Sequence, residues 1–582
     1  MKRIFTFISM LLVATLLATT LASCSQTSTQ EATSQTTDDF SCVFSIAQID
    51  EEQQIEVSWV TEDILTKLEV TVKHGEQTVS QKTFEGDSLT NCNVTVDAYY
   101  GKHNVTLKAT GAQGQVKEIS KNISLSASEY VIAPISGSMP QLYFTLNMNE
   151  ITNNGSIPAF VWLSRPDSWN WDNLPENVYA MPTVSMDEVL THDNFDRMVE
   201  VTDKYIEELY SINKNSKFNL YINDFNSYLY LKLLVGNGIS ESNYYVTLLS
   251  DGGASYKAFN TAFNSSDENF DADEKYSEMV KNMNDLYVQV KEVGDYYHEE
   301  EGKFVVDPDT FRQYSYVSAK EKDNVEWWVL RPRDGVLCSP DKEFITTVLT
   351  TDKTEGIIEE RNFAKPLTTM NDDEKTALKA LYNFNNEMFE AADTQGKKAM
   401  MILGSWATAE NEPDFEDYAN LIKAYYGEED FVYYYKGHPN TPTSNNPDKA
   451  AQLEKLGLID VESSINAELI LFFYPDIYMC GYNSSTFMSV ESPEMACTMF
   501  NMTLESANAN ENMTEYKGLI GIYTSKITED SDYASLCFEE GHNYYLMQFN
   551  NEKKDCDFGV YDATANTFTY YNLVDDEFVV AE

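Results

Sequence analysis

The sequence has few metal ligands in usable patterns and few cations. Only six histidines occur among 582 residues, and no two stand at HExxH or HxH spacing, the arrangements that set two imidazoles on one ion. No metal is expected on that ground. Eight cysteines are present but none forms a CxxC pair, which supports neither zinc ligation nor a dense disulfide framework. A GxSxG elbow and a GxxxxGK[ST] loop are both missing, so the sequence carries no mark of serine-hydrolase or P-loop chemistry. Lysine and arginine number 41 against 93 acids, a net charge of −52. Binding a phosphate backbone requires a basic footprint, so nucleic acid is not an expected partner.

What the chain does have begins with a targeting segment. Lys2 and Arg3 precede the apolar run IFTFISMLLVATLLATTL and the tetrapeptide Leu21-Ala22-Ser23-Cys24. The run is short for a membrane span of roughly 20 apolar residues. It reads as a signal peptide over 1–23 ending in a lipobox, with Cys24 as the lipidated first residue. Attachment to the membrane through a lipid and an outward-facing place in a bacterial envelope are the expectation. Residues 24–39, polar and without hydrophobic period, read as a flexible linker.

From 40 to 130 short alternating runs recur with turn residues about every ten positions (IEVSWV, KLEVTVKHG, QTVSQKTF, CNVTVDAYYG, HNVTLKATG, KNISLS), the pattern of an all-β sandwich. Cys42, Trp59 and Cys92 loosely follow the immunoglobulin Cys…Trp…Cys order, and in an exported chain Cys42 and Cys92 could pair. After Tyr130 the pattern changes. YVIAPIS, QLYFTLNM, AFVWLS, FNLYIND and YYVTLLS read as buried strands, and DNFDRMVEVTDKYIEELYSI as a helix. Such alternation indicates a parallel sheet covered by helices. A second α/β unit starts near 365, with Asn371 as N-cap to a helix rich in acids in its first turn. It continues through KKAMMILGSW and FVYYYKGHP, and CTMFNMTLESA reads as a closing helix. The expected fold class is therefore α/β: two Rossmann-like domains, 131–360 and 361–514, facing a cleft. The all-β sandwich precedes them, and a β-rich segment, 515–582, forms a small extra sheet.

Candidate chemistry sits at strand ends, which in α/β sheets open onto the ligand crevice. VTLLS breaks into Asp251-Gly252-Gly253, and FVYYY into Lys436-Gly437-His438-Pro439. A lone aspartate before glycines, or histidine before proline, is by itself a turn former. The pair gains weight from Glu468 and from Ser484-Ser485, whose hydroxyls suit a phosphate at a helix start.

This ordered set resembles the bacterial sialyltransferases of glycosyltransferase family 80, which carry an acidic-Asp-Gly motif, a Lys-Gly-His-Pro motif, a Glu and a Ser-Ser pair at similar spacing. Ser250-Asp251-Gly252-Gly253 with Tyr256, Lys436-Gly437-His438-Pro439, Glu468 and Ser484-Ser485 match it, over roughly 155–510. The resemblance implies the GT-B fold and an inverting transfer of sialic acid from CMP-sialic acid to a galactose-terminated glycan, without cofactor or metal. By the same resemblance Asp251 is the general base and His438 the general acid. Lys436, Gly437, Glu468, Ser484, Ser485, Gly404 and Ser405 hold the donor, and Arg165 and Trp406 face the acceptor. Two departures stand out: Ser250 replaces the first acid of the Asp-Gly motif, and FNLYINDFNSYLYLKLL lacks a histidine that the family has there. The alternatives are a non-catalytic glycan-binding surface lipoprotein and a transferase of a related acidic sugar.

Overall fold

A computed structural model describes residues 42–49, 53–86, 89, 91–182, 186–189, 195–251, 271–293, 297–298, 303–304, 314–329, 358–360, 366, 369–404, 415–438, 443, 447–481, 486, 496–502, 544–548, 558–562, 565, 567–574 and 577–581. The signal segment, the linker and Cys24 lie outside these. Among the described residues no helix is long and apolar enough to cross a membrane. The chain divides into two compact units, Met1–Leu125 and Ser126–Glu582.

The first unit consists of two antiparallel sheets. Strands β1 (Val43–Gln48), β2 (Gln54–Val60) and β5 (Asn91–Asp97) form one; β3 (Leu65–His74), β4 (Gln77–Glu85), β6 (Gly101–Gly111) and β7 (Val116–Leu125) form the other, in the order β4-β3-β6-β7. Alternate residues face inward, as the period of two requires: Ile55, Val57 and Trp59 on β2, Leu68, Val70 and Val72 on β3, Val105 and Leu107 on β6 are all buried. The Trp59 indole donates to the Leu89 carbonyl at 2.8 Å, so its one polar atom is satisfied. The sheet order answers the cysteine question. Strand β2 lies between β1 and β5, with Val43 opposite Val60 and Cys92 opposite Trp59. Strands two apart are separated by about 9.6 Å, beyond the roughly 7 Å that a disulfide can span. Cys42 is a buried free thiol, and burial raises its pKa.

The second unit contains two parallel sheets. The first runs through β8 (Glu129–Ile135), β9 (Ala159–Leu163), β10 (Val178–Ala180), β11 (Lys217–Asn223) and β12 (Tyr244–Leu249). A small hairpin of β13 (Tyr297–His298) and β14 (Lys303–Phe304) follows, and β15 (Val325–Val329) and β16 (Ile358–Glu360) return to the sheet. Its order is β10-β9-β8-β11-β12-β15-β16, all parallel. The chain thus moves outward from β8 one way and then crosses to add strands on the other side, leaving a topological switch between β8 and β11.

The second sheet repeats the plan. Strands β17 (Lys398–Leu403), β18 (Phe431–Lys436), β19 (Ile459–Val461), β20 (Tyr478–Gly481) and β21 (Ala496–Met502) are parallel in the order β19-β18-β17-β20-β21. The switch here lies between β17 and β20. Strands β22 (Tyr544–Gln548), β23 (Phe558–Asp562), β24 (Thr567–Val574) and β25 (Glu577–Val580) continue from β21 as antiparallel neighbours. The C-terminal strands therefore extend the second sheet to nine strands instead of forming a sheet of their own. The α/β architecture with two Rossmann-type sheets and a preceding β-sandwich agrees with the sequence reading.

Two elements differ from that reading. QLYFTLNM is helix Ser138–Leu146 with the turn after it, not a strand. Met139 to Leu146 are buried without interruption, and a helix buried on every face lacks the one-sided 3.6 period by which to recognise it. CTMFNM is strand β21, not helix, fixed by pairing on both sides with β20 and β22. The capping box at Asn371 is present: its side chain accepts from the Glu374 amide while Glu374 accepts from the Asn371 amide.

At the second switch the strands come close. Gly481 has φ +147°, and a Cβ there would lie 2.7 Å from the Leu403 carbonyl oxygen. Gly481→Ala is expected to cost about 1–3 kcal/mol of stability, the usual price of an enforced outlier backbone; a denaturation midpoint unchanged from wild type would contradict this.

Candidate functional site

Residues that follow strands of the first sheet gather at the start of helix Ser138–Leu146, and Asn466 reaches it from the second half. It follows β8 directly, at Gly137, whose φ of +89° suits glycine. A Cβ on Gly137 would sit 2.5 Å from Asp251 Oδ1 and 3.2 Å from Asn223 Nδ2. The Asp251 carboxylate therefore lies against the bare Cα at the start of this helix, where amide dipoles favour negative charge. Asp251 ends β12; Asn223 and Asp224 end β11. Asn223 caps the turn after β11 by accepting from the Phe225 amide at 2.7 Å, and it donates to the Ser136 carbonyl at 2.9 Å. Asp224 is 2% exposed. Its Oδ1 accepts from the Asp251 amide at 3.3 Å and its Oδ2 from the Trp327 indole at 3.0 Å.

Ser250, standing where the resemblance has an acid, is fully buried, and its amide donates to the Trp328 carbonyl. The carboxylate that touches the Asp251 backbone comes from Asp224, on the neighbouring strand end. Sequence reading missed Asp224 and Gly137. An Asp at the end of an apolar strand was the signal available for the first; for the second nothing local distinguished Gly137 from other glycines.

The other side of the site comes from the second sheet. Arg165, after β9, donates from Nη1 to Ser138 Oγ. The Ser138 carbonyl accepts from Asn466 Nδ2 at 3.5 Å, so the same residue meets a side chain of each half. Lys436, at the end of β18, is 3% exposed, and its ammonium donates to the Gly437 carbonyl at 3.0 Å and the Ser463 carbonyl at 2.8 Å. Burial pushes its pKa down to about 8 against the pull of Glu468. Glu468 is 5% exposed in the first turn of helix Ala467–Phe473, where Oε1 accepts from the Thr486 hydroxyl at 2.8 Å. Burial raises its pKa, opposed by its own amide, Thr486, Lys436 and Arg165. Thr486, one residue past the Ser-Ser pair, is a further site residue that sequence reading did not mark.

His438 follows Lys436 and Gly437 and is half-buried. Burial, then the positive charges of Arg165 and Lys436, push its pKa down to about 4, so its imidazole is neutral at pH 7 in this form. Gly404 ends β17, and its amide donates to the Lys436 carbonyl at 2.9 Å; a Cβ there would run into the Tyr435 hydroxyl. Gly252, Gly253, Tyr256, Ser405, Trp406, Pro439, Ser484 and Ser485 lie outside the described residues.

The structure thus brings Arg165, Lys436, His438, Glu468 and Thr486 into one cluster, and joins it to Asp251 through Gly137 and Ser138. In a chain of net charge −52, this cluster sets two cations, Arg165 and Lys436, and the buried Glu468 carboxyl near the His438 imidazole. Two cations beside an imidazole can accept an anion, and the Asp251 carboxylate lies at the start of the neighbouring helix. Among the described residues no group of three or more His, Cys, Asp or Glu could hold a metal ion.

No protein-family model and no curated protein matches the chain. Among solved structures it is similar to an α/β-galactoside α-2,3-sialyltransferase from the luminous marine bacterium Photobacterium phosphoreum, at 11% identity over 70% of this chain and 98% of that one, with a TM-score of 0.47. A 2,6-sialyltransferase from a Photobacterium species of the Vibrionaceae, solved in a ternary complex with CMP and lactose, is similar at 12% identity over 84% and 93%, TM-score 0.47. A sialyltransferase from Photobacterium damsela is similar at 13% identity over 84% and 96%, TM-score 0.45.

A base whose folded pKa is depressed contributes stability above its unfolded value and loses it as pH falls toward the folded value. For His438 the window runs from about 6.5 down to about 4. His438 should accordingly be neutral at pH 6 in the free protein, and a bound phosphate anion should raise its pKa. Imidazole NMR shifts followed against pH, with and without CMP, check both; titration near 6.5 in the free protein would contradict the first.

Proposed function

We propose that the protein is an inverting sialyltransferase that moves sialic acid from CMP-sialic acid to a hydroxyl of a galactose-terminated glycan. The observation that carries this reading is the meeting, at the start of helix Ser138–Leu146, of the Asp251 carboxylate with the cluster of Arg165, Lys436, His438 and Glu468. A carboxylate and a cationic anion pocket on opposite sides of one cleft are what a direct displacement at a sugar phosphate needs.

In the proposed step an acceptor hydroxyl attacks the anomeric carbon of sialic acid, and its proton passes to Asp251. A new carbon–oxygen bond forms with inversion while the bond from that carbon to the CMP phosphate breaks, its electron pair leaving on the phosphate oxygen. Arg165 keeps the acceptor-side part that the resemblance gives it, and its charge adds positive field to the His438 side. His438 becomes protonated once the negative donor phosphate outweighs the burial and the nearby positive charges that hold its pKa down, and it then donates to the leaving oxygen. Fixed donors of this kind stabilise a departing phosphate without reorganising. Ser484 and Ser485 are proposed phosphate ligands. Glu468, fixed by Thr486 and its own amide, accepts from the cytidine ribose. The Lys436 ammonium is occupied by two carbonyls, so its proposed part is to shape the nucleotide pocket and supply field. Gly404, Ser405 and Gly437 line the donor side, and Trp406 the acceptor side. Attachment through a lipid on Cys24, outward on the envelope, belongs to the same proposal, and it requires donor to be supplied outside the cytoplasm.

The test is to incubate the protein with CMP-sialic acid and lactose, with and without EDTA. Sialyllactose and CMP should form equally in both; no turnover with any CMP-linked acid would sink the reading. Asp251→Asn should lower kcat about 10²-fold, the order that general-base catalysis contributes, while CMP binding stays near wild type.

A further inference from the structure

The base of this reaction needs aiming, and its own motif supplies no neighbouring acid: Ser250 is turned into the core. What surrounds Asp251 comes from two other strand ends. Beneath it, the buried Asp224 carboxylate takes the Asp251 amide with one oxygen and the Trp327 indole with the other. Trp327 is on β15, Asp224 follows β11 and Asp251 follows β12, three consecutive strands of the sheet. A single carboxylate therefore ties the ends of β11 and β12 to the middle of β15. Each of its two oxygens takes one N–H, so the place of this side chain fixes the Asp251 main chain relative to Trp327. Beside Asp251, Gly137 leaves room that any Cβ would remove, and Asn223, held at both ends of its amide, stands next to that space.

We propose that Asp224 is the positioning residue of the general base, setting the main chain of Asp251 from below while Gly137 and Asn223 bound its carboxylate from the side. This rests on the transferase reading above. Asp224 does not touch substrate; it acts through Asp251. A base displaced by about 1 Å can lose about 10²-fold in rate, so a loosened Asp224 contact lowers kcat for transfer and leaves donor binding alone.

A double-mutant cycle on the full chain tests it, using Asp224→Ala, Asp251→Asn and the pair. Asp224→Ala should lower kcat for sialyl transfer to lactose by about 10²-fold with unchanged CMP binding. In the Asp251→Asn background the same change should cost about 2-fold or less, because there is no longer a base to aim. Losses that multiply to about 10⁴-fold would show that Asp224 acts independently of Asp251 and would overturn the proposal. So would an Asp224→Ala protein with full activity, or one whose CMP binding falls in step with its rate. Should Asp224→Ala fail to fold, Asp224→Asn and Gly137→Ala enter the same cycle with the same expected lack of additivity. A wild-type protein inactive with CMP-linked acids would remove the transferase reading itself, an outcome distinct from an active wild type with an indifferent Asp224.

Discussion

A parallel sheet whose chain reverses direction must open a gap between the two crossovers, and here that constraint is met twice. Between β8 and β11, and again between β17 and β20, successive connections leave in opposite senses. The strand ends there have no ladder to continue into. Their polar groups must be satisfied by each other, by side chains or by a ligand. At the first switch Asn223, Asp224 and Gly137 do this work; at the second, Gly404 and Gly481 allow the two strand ends to close on one another. Several of the residues proposed to touch substrate follow strands that flank these switches: Arg165 follows β9, Asp251 follows β12 and His438 follows β18.

The two halves contribute unlike electrostatics. The first supplies carboxylates on short connections, plus Arg165 reaching across to Ser138. The second buries a lysine and a glutamate near each other, Lys436 and Glu468, at a desolvation cost that burial of single charges would not recover. That cost is tolerable because each is hydrogen-bonded, Lys436 to two carbonyls and Glu468 to Thr486 and its own amide. A polar network so complete holds its geometry before any ligand arrives, which is the form of preorganisation that catalysis of charge transfer rewards.

Much of the fold was legible because strands buried on both faces read as continuous apolar runs. AFVWL, FNLYI, VTLL, AMMIL and FVYYY are all such strands. The capping box at Asn371 was legible because its signal is local. Helix Ser138–Leu146 was not, since uniform burial erases the period that marks a helix, and β21 was not, since its neighbours rather than its residue types decide its state. At the site, His438 and Asp251 could be found by their strand-end motifs. Asp224 carried only the slight signal of an Asp ending an apolar strand, and Gly137 and Thr486 carried none, because their roles consist of contacts to residues 27, more than 100 and 18 positions away. The pairing of Cys42 with Cys92 was open in sequence for the same reason: only the position of β2 between their strands decides it.

The nine-stranded second sheet sets an order of assembly. Its five parallel strands come from residues 398–502, while β22 to β25 come from 544–580 and add one after another beyond β21. Until they arrive, β21 is an exposed edge with an open row of backbone donors and acceptors, the kind of surface that invites pairing with another chain. The half that holds His438 and Glu468 is thus born with one side unfinished, and a chain emerging from its amino end completes that sheet only after its last strands have been made. For a protein read as exported, that is the interval in which a holding chaperone would matter most.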